Sequence, residues 1–512
     1  MASQQLNGQA ILYSQGKTLG GGTARNGMAY QRGTASSYNQ WAKLVGDDSY
    51  SWNNLLPYFK KSMTFTPANV DLRGGPAVPY DKAAFSPSGG PLHVSYWNYF
   101  APLSSAILQG LKTLGFKEST SKIQSGSLLG YAQFPATLNP HTQTRDSSQT
   151  SFLDDAIKTN TAGKLQVYTD TLAKRILFNG KKAAGVIVVS SNGTTPSSGK
   201  TIRRDTAEYV LTARREVILA AGVFRTPQLL MASGVGPREV LNRFNIPTVA
   251  RLEGVGKNIM DHPGFGTIFK VDGISQHRLW SNATYAAEAL AEFQRTPPSG
   301  PLTMFASNYI LWEKYGPSTR LQPATRVVMD SFPPDWPDVQ YVFNTAGQPD
   351  ATPGDFLALN IAVLKATSLG SVTINSSDTA VNPLVDIRYL DTASDRDLAI
   401  QAIRRARDFA GATGVLLGEV SPGEQVQTDE QIWNFLKGAT FPSHHAVGSC
   451  RMGSRRDSVT VVDTQGCVLG GVERLRIIDS SIMPVLPPGQ PMSTVYAIAE
   501  KLSDAILYGR AC

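Results

Sequence analysis

Gly16-Lys17-Thr18-Leu19-Gly20-Gly21-Gly22-Thr23-Ala24-Arg25-Asn26-Gly27-Met28 is the stretch on which the reading of this chain turns. Three consecutive glycines followed by Thr, Asn and a further Gly do not suit the interior of a helix or a strand. Without a Cβ, glycine takes positive φ and lets the backbone come close to a ligand. Successive small residues with free N–H groups also form a concave donor surface that suits an anion such as a pyrophosphate. Thr23 and Asn26 follow at spacings from which their side chains reach a bound ring or phosphate. A plain surface loop would use the same residues. The chain runs on, however, into Tyr30-Gln31-Arg32-Gly33, Trp41, Trp52 and Leu55-Leu56-Pro57-Tyr58-Phe59, and this attached aromatic surface predicts a packed loop.

Working outward, residues 9–15 read as a short strand feeding the loop, and 40–62 as a helical region with an aromatic face. Leu103, Ile107, Leu108, Leu111 and Leu114 recur at helical spacing in 101–116. After Thr144-Arg145-Asp146-Ser147-Ser148, Phe152-Leu153-Asp154-Asp155-Ala156 reads as a capped helix start. Strands are predicted at 165–168 and 175–178, and Asn179-Gly180 joins the latter to 185–189 as a hairpin. The apolar run 216–222 ends in small residues, and Thr226 with Pro227 reads as an N-cap and first helical position, closing at Gly234. A strand, a tight turn and a short helix build an α/β dinucleotide fold, though packing alone would also explain the unit. Strands at 337–345, 356–366 and 370–376 predict an antiparallel sheet. A helix from Ser394 follows, with Leu398, Ala402, Ile403, Ala406, Phe409 and Ala410 inward and Arg404, Arg405 and Arg407 on its solvated side.

At 512 residues the chain exceeds one ordinary core, so two or more domains are expected. Hydrophobic and charged contents of 41% and 17% are globular values. The net charge of +8 is spread along the chain, which excludes a concentrated basic face and with it a nucleic-acid partner. Three cysteines, Cys450, Cys467 and Cys512, predict a fold not held by disulfides. No apolar run of membrane length occurs, so no membrane partner is expected. The polar start does not read as a signal peptide, which predicts a cytoplasmic location and makes the sequons at Asn192, Asn282 and Asn375 coincidental. Adjacent His444 and His445 lack acidic or Cys partners at ligand spacing, so no metal site is expected. A neutral core histidine and a working acid/base residue both remain open from the residues alone.

The run from Gly16 to Phe59 resembles the flavin-contacting signature of the glucose–methanol–choline (GMC) oxidoreductases. Two further matches lie downstream. The segment 216–236 is similar to the second signature of that family, with Val223 where a smaller residue is usual, and Gly254-Val255-Gly256-Lys257-Asn258-Ile259-Met260-Asp261-His262 resembles its Gly-Val-Gly-x-Asn…Asp-His element. The resemblance implies an α/β, overall α+β, GMC-type flavoprotein fold in three parts. A FAD-binding-type lobe occupies 1–262, a substrate lobe with an antiparallel sheet 263–430, and a return to the first lobe 431–512. It implies non-covalent FAD contacted by Leu19, Gly20, Gly21, Gly22, Thr23, Asn26, Gly27, Met28, Ala29, Leu172, Asp479, Ser480 and Met492. Arg25 stands where some members carry a flavin-linking histidine.

His445-Ala446-Val447-Gly448-Ser449 resembles the segment whose histidine faces the flavin, so the resemblance implies that His445 removes the alcohol proton and that His444 is structural. Imidazole suits that task at neutral pH. The second polar position corresponds to Gln490, which can hydrogen-bond an alkoxide but cannot take a proton. Family members begin with a Gly-x-Gly-x-x-Gly βαβ unit for the ADP half of FAD. Only 19 residues precede Gly20, with Gly8 and Gly16 at no such spacing, so FAD is expected to be weakly held or lost. The implied function is oxidation of a CH–OH group of a small, secondary-metabolite-like alcohol. A flavin-free enzyme using the same pocket for cyclisation, dehydration or isomerisation is the alternative, and an inactive binding or scaffold relative the third reading. The expected partner is a small-molecule substrate. A homo-oligomer stays open, because the strand at 216–222 needs a sheet neighbour, in cis or from another subunit.

Overall fold

Seven antiparallel strands form the largest sheet of the computed structural model, which describes residues 2–3, 6–160, 163–191, 207–305, 307–347 and 352–512. Their order is Leu416–Ser421, Pro263–Val271, Phe356–Val363, Val339–Asn344, Tyr309–Glu313 and Gly130–Gln133, with Phe441–Pro442 beside the start of Pro263–Val271. The four inner strands are nearly continuous apolar runs because both faces are covered, the pattern of doubly buried strands. Phe265, Phe269, Leu359, Ile361 and Phe343 pack against the long helix Ala393–Ala412, which offers Leu398, Ala402, Ile403, Ala406 and Phe409, and against the helix Leu103–Thr113. The opposite face packs on Trp97, Trp312 and Phe134. The expected strands at 337–345 and 356–366 pair in this sheet, with Tyr341 opposite Ile361. The sheet also reaches outside 263–430, taking one edge strand from 130–133 and a short one from 441–442. Ser371–Thr373 leaves it to pair with Leu384–Asp386, because Gly370 is bonded to the backbone of Ile259 in both directions.

Four expectations change here and in the amino-terminal part of the chain. Arg404, Arg405 and Arg407 are not simply solvated: they pair with Asp429, Glu313 (2.9 Å) and Glu419 (3.1 Å), tying the helix to neighbouring elements. Residues 9–15 contribute only Gln9–Ala10, and 165–168 form no strand. The helical region at 40–62 is two helices, Ala35–Val45 and Trp52–Ser62, because Gly46 stops the first at φ 68°.

The second body of structure is held by a parallel pair, Val217–Leu219 beside Leu475–Ile477. The strand expected to need a neighbour therefore finds one in cis. Around it stand the sheet Thr171–Asn179, Lys182–Ser190 and Glu208–Thr212, and the helices Ala35–Val45, Trp52–Ser62 and Met492–Leu507. The hairpin turns at Asn179-Gly180 as its sequence requires, with Gly180 at φ 61°. Trp41, Tyr50, Leu230, Val447, Ile477 and Leu502 lie in the common core.

The helix after Val217–Leu219 begins at Gly222 and runs to Ala232, so Thr226 is not its N-cap and Pro227 lies inside it. Proline removes the N–H that would bond the Val223 carbonyl. The Ser449 hydroxyl donates to that carbonyl instead, and the helix continues. A second correction concerns cysteine: Cys467 and Cys512 form a disulfide across 45 residues, and the N–H of Arg474 donates to the Cys512 carbonyl at 2.9 Å. Cys450 is free and buried. Asn282 and Asn375 are exposed, whereas Asn192 lies outside the described residues. No helix among the described residues is long and apolar enough to cross a membrane.

Candidate active site

The glycine-rich loop turns through Gly20 and Gly21 at φ 81° and 52° into a 3₁₀ turn over Gly21–Ala24. A Cβ at Gly21 or Gly22 would meet nothing within 4 Å, so the backbone there presents an open face. The polar side chains that follow hold the loop itself. The Thr23 hydroxyl donates to the Gly20 carbonyl at 2.6 Å and accepts from the Ser148 N–H at 3.0 Å. Asn26 Oδ1 accepts from the Met28 N–H at 3.0 Å and from Arg145 at 2.8 Å, while its Nδ2 donates to Met492 Sδ at 2.9 Å. That bond brings Met492 and Asn26 together across 466 residues. Met28 takes φ 64°, Ala29 bridges to Ala136, Gly27 faces Phe305, and Leu19 is exposed. Leu172 lies in the three-stranded sheet opposite Val189.

Arg145 is a site residue for which sequence reasoning found no role. It reaches the Thr23 carbonyl as well as Asn26, and burial together with the nearby Arg25 charge depresses its guanidinium pKa. Open glycine backbone beside two cations fits an anionic cofactor such as a dinucleotide. The only early signal for Arg145 was its place beside Asp146-Ser147-Ser148.

Asp479 secures the second turn. Its Oδ2 accepts from the Gly222 N–H at 3.0 Å and the Thr226 hydroxyl at 2.6 Å, and its Oδ1 accepts from the Ser481 N–H at 2.8 Å. The carboxylate therefore caps the helix start and is committed to protein donors, and the Asp479 carbonyl accepts from the Ile482 N–H at 3.4 Å. The Ser480 carbonyl accepts the Gly448 N–H at 3.2 Å.

Three segments are laced side by side at the histidines. Met260 and Val447 exchange both backbone bonds, the Gly256 N–H donates to the Ser449 carbonyl at 2.7 Å, and the Cys450 N–H donates to the Ser481 carbonyl at 2.8 Å. This places Asp261 and His262 against His444 and His445, although 183 residues separate His262 from His445. The His445 backbone N–H donates to Asp261 Oδ1 at 2.9 Å, and the Tyr389 hydroxyl donates to Asp261 Oδ2 at 2.5 Å. Burial raises the Asp261 carboxyl to about 7, against the lowering effect of those bonds. The His445 and His262 rings meet at 89°, with Nδ1 3.0 Å from Nδ1. Burial, helped by the His444 charge, lowers His445 to about 3, and burial holds His262 well below the usual imidazole range. Both rings are neutral at pH 7. His444 is exposed at φ 60° and stands edge-on to Tyr13, whose hydroxyl accepts the Ala446 N–H.

Gln490 follows the tight turn at Gly489, φ 86°. Its carbonyl accepts from Gln31 at 3.1 Å, and its Oε1 is buried with no hydrogen-bond partner among the described residues. No hydrogen bond among them joins Gln490 to His445; the ring partner of His445 is His262.

Residues 2–264 and 366–499 match the amino- and carboxy-terminal domains described as GMC oxidoreductase. Patulin synthase of Aspergillus clavatus is 40% identical over 97% of this chain and 78% of its own length. Versicolorin B synthase of Aspergillus parasiticus is 37% identical over 98% of this chain and 76% of its own. Among solved structures, an FAD-dependent oxidoreductase from Chaetomium thermophilum superposes with a TM-score of 0.87 at 27% identity, covering all of this chain and 90% of that one.

Proposed function

Since the chain belongs to the GMC oxidoreductase family, whose structural neighbours are FAD-dependent, we propose that it oxidises a CH–OH group of a small alcohol of the secondary-metabolite kind, with His445 as the acid/base group. The observation that carries this reading is the imidazole of His445, held neutral by burial and fixed by Asp261 at its backbone and His262 at its ring. The open backbone of Gly21 and Gly22, Arg145 beside it, and the Asp479-capped turn at Gly222 would hold FAD. When bound, FAD supplies the hydride acceptor. His445 takes the hydroxyl proton on its ring, and Gln490 offers an amide to the substrate oxygen.

Replacing His445 by Ala is expected to lower turnover by at least about 10²-fold with the fold intact, the usual worth of positioned acid/base work. His444→Ala should leave turnover within a few-fold, as expected for an exposed ring. The reverse pattern would sink the assignment.

Similarity to versicolorin B synthase favours a second reading, in which the same pocket carries out a cyclisation or another non-redox step with His445 shuttling the proton. Absorbance of the purified chain in the flavin bands separates the two. Fluorescence titration with FAD measures how tightly the chain holds the cofactor.

A further inference from the structure

We propose that His262 is the positioning residue that fixes the tautomer of His445: His262 Nδ1 accepts the Nδ1 proton of His445, leaving His445 Nε2 bare. The inference rests on His445 being the acid/base group of the preceding section.

Two Nδ1 atoms 3.0 Å apart hold one proton between them, since two lone pairs or two N–H groups facing each other repel. The two rings must therefore be in complementary tautomers, and the state of one dictates the state of the other. A second proton on either ring is disfavoured, because His262 is buried, His445 is half-buried, and both are pushed toward the neutral form. The charged and titratable groups around the pair are Asp261, His444, Tyr13 and Tyr389. None of them bonds the His445 ring. Asp261 would be the obvious acceptor by comparison with a carboxylate-held imidazole. Its two oxygens are instead taken by the His445 backbone N–H and the Tyr389 hydroxyl.

His262 is well placed for the role. It is 1% exposed and sits between Met260, zipped to Val447, and Pro263, which opens the central strand Pro263–Val271 opposite Pro442. Its ring is thus held by the same ladder that fixes the backbone of His445. A free neutral imidazole favours the proton on Nε2, the form with no lone pair available at that atom. An acceptor at Nδ1 reverses the preference, and the base role of His445, which needs Nε2 bare, assigns His262 Nδ1 as that acceptor. It differs from a carboxylate in carrying no charge, so it orients His445 without stabilising an imidazolium. His445 is then suited to accepting a proton in concert with bond breaking rather than storing one.

The test uses the full chain labelled with ¹⁵N-histidine and long-range ¹H–¹⁵N correlation of the imidazoles, with His445 assigned by His445→Gln. Wild-type His445 is expected as the Nδ1–H tautomer and His262 as the Nε2–H tautomer. His262→Leu should turn His445 to the Nε2–H form. His262→Asn, whose carbonyl can accept at the former Nδ1 position, should restore Nδ1–H. A wild-type spectrum with His445 protonated at Nε2, or one unchanged by His262→Leu, overturns the proposal. Should the Leu variant fail to fold by circular dichroism, the wild-type and Asn spectra decide alone. The measurement needs no turnover, so full activity in His445→Gln would remove the acid/base reading while leaving the tautomer result intact.

Discussion

His445 and His262 keep their rings neutral at a cost in stability that acid exposes. In the unfolded chain both take up protons below about pH 6.5, whereas the folded pair, lowered by burial, does not, so their effect is to remove stability as pH falls through that value. Asp261 acts in the opposite sense. Its folded pKa of about 7 lies above the unfolded value, so its contribution is full below about pH 4 and is lost as pH rises through 7. Between about pH 4 and 6 the unfolded state gains two protons from the histidines against one held by folded Asp261. The difference is one proton, and stability should fall by about 1.4 kcal/mol per pH unit on acidification. Chemical denaturation at pH 6 and 5 measures the slope, and His445→Gln should flatten it. A slope that the substitution leaves unchanged would place the acid sensitivity elsewhere. At this scale the sequence was only partly legible. The Ala-Val-Gly run after His445 singled out one of two adjacent histidines. Nothing along the chain indicated that His262 lies against it, since that contact is made by a backbone ladder between distant segments.

At the scale of elements, the turn between Val217–Leu219 and the helix Gly222–Ala232 depends on Asp479. Asp479→Ala removes the cap on Gly222 N–H and leaves the buried Thr226 O–H without its acceptor, the Thr226 oxygen keeping only the bond from Ala221 N–H. A lost cap costs about 0.5–2 kcal/mol and an unsatisfied buried group about 1–3 kcal/mol, so a loss of about 2–4 kcal/mol is expected. Denaturant unfolding checks it, and a loss below about 0.5 kcal/mol would mean that water replaces the carboxylate at no cost. The strand and helix here were readable from their apolar pattern, but the helix start was not. Thr226-Pro227 has the composition of a helix beginning, and the chain keeps Pro227 inside the helix only because Ser449 satisfies the carbonyl that proline frees. The antiparallel strands at 339–344 and 356–363 were legible because both are uninterrupted apolar runs. Their edge partner at 130–133 was not, since its pairing is set by the sheet it joins.

For the whole molecule, the bridge Cys467–Cys512 fastens the segment after the helix Met492–Leu507 to the core. Closing a 45-residue loop is worth about 2–4 kcal/mol, so Cys512→Ser or reduction should lower stability by that amount, read as a shift in denaturation midpoint with and without reductant. The bridge and a reducing cytoplasm make opposite demands. Thiol titration of the denatured, unreduced chain settles which holds: one reactive thiol, from Cys450, is expected with the bridge and three without it. Three cysteines are too few to announce a pairing by spacing, which is why the sequence pointed the other way.

The parallel pair Val217–Leu219 and Leu475–Ile477 also sets a clock. Its second strand is translated about 258 residues after the first (475 minus 217). At about 5–20 residues per second the first strand waits roughly 13–50 s for its neighbour. During that interval an apolar segment has left the ribosome with its ladder unmade, so the nascent chain presents a sticky edge for tens of seconds. Slower translation lengthens that exposure, and the yield of folded protein should fall with it unless a chaperone occupies the edge first.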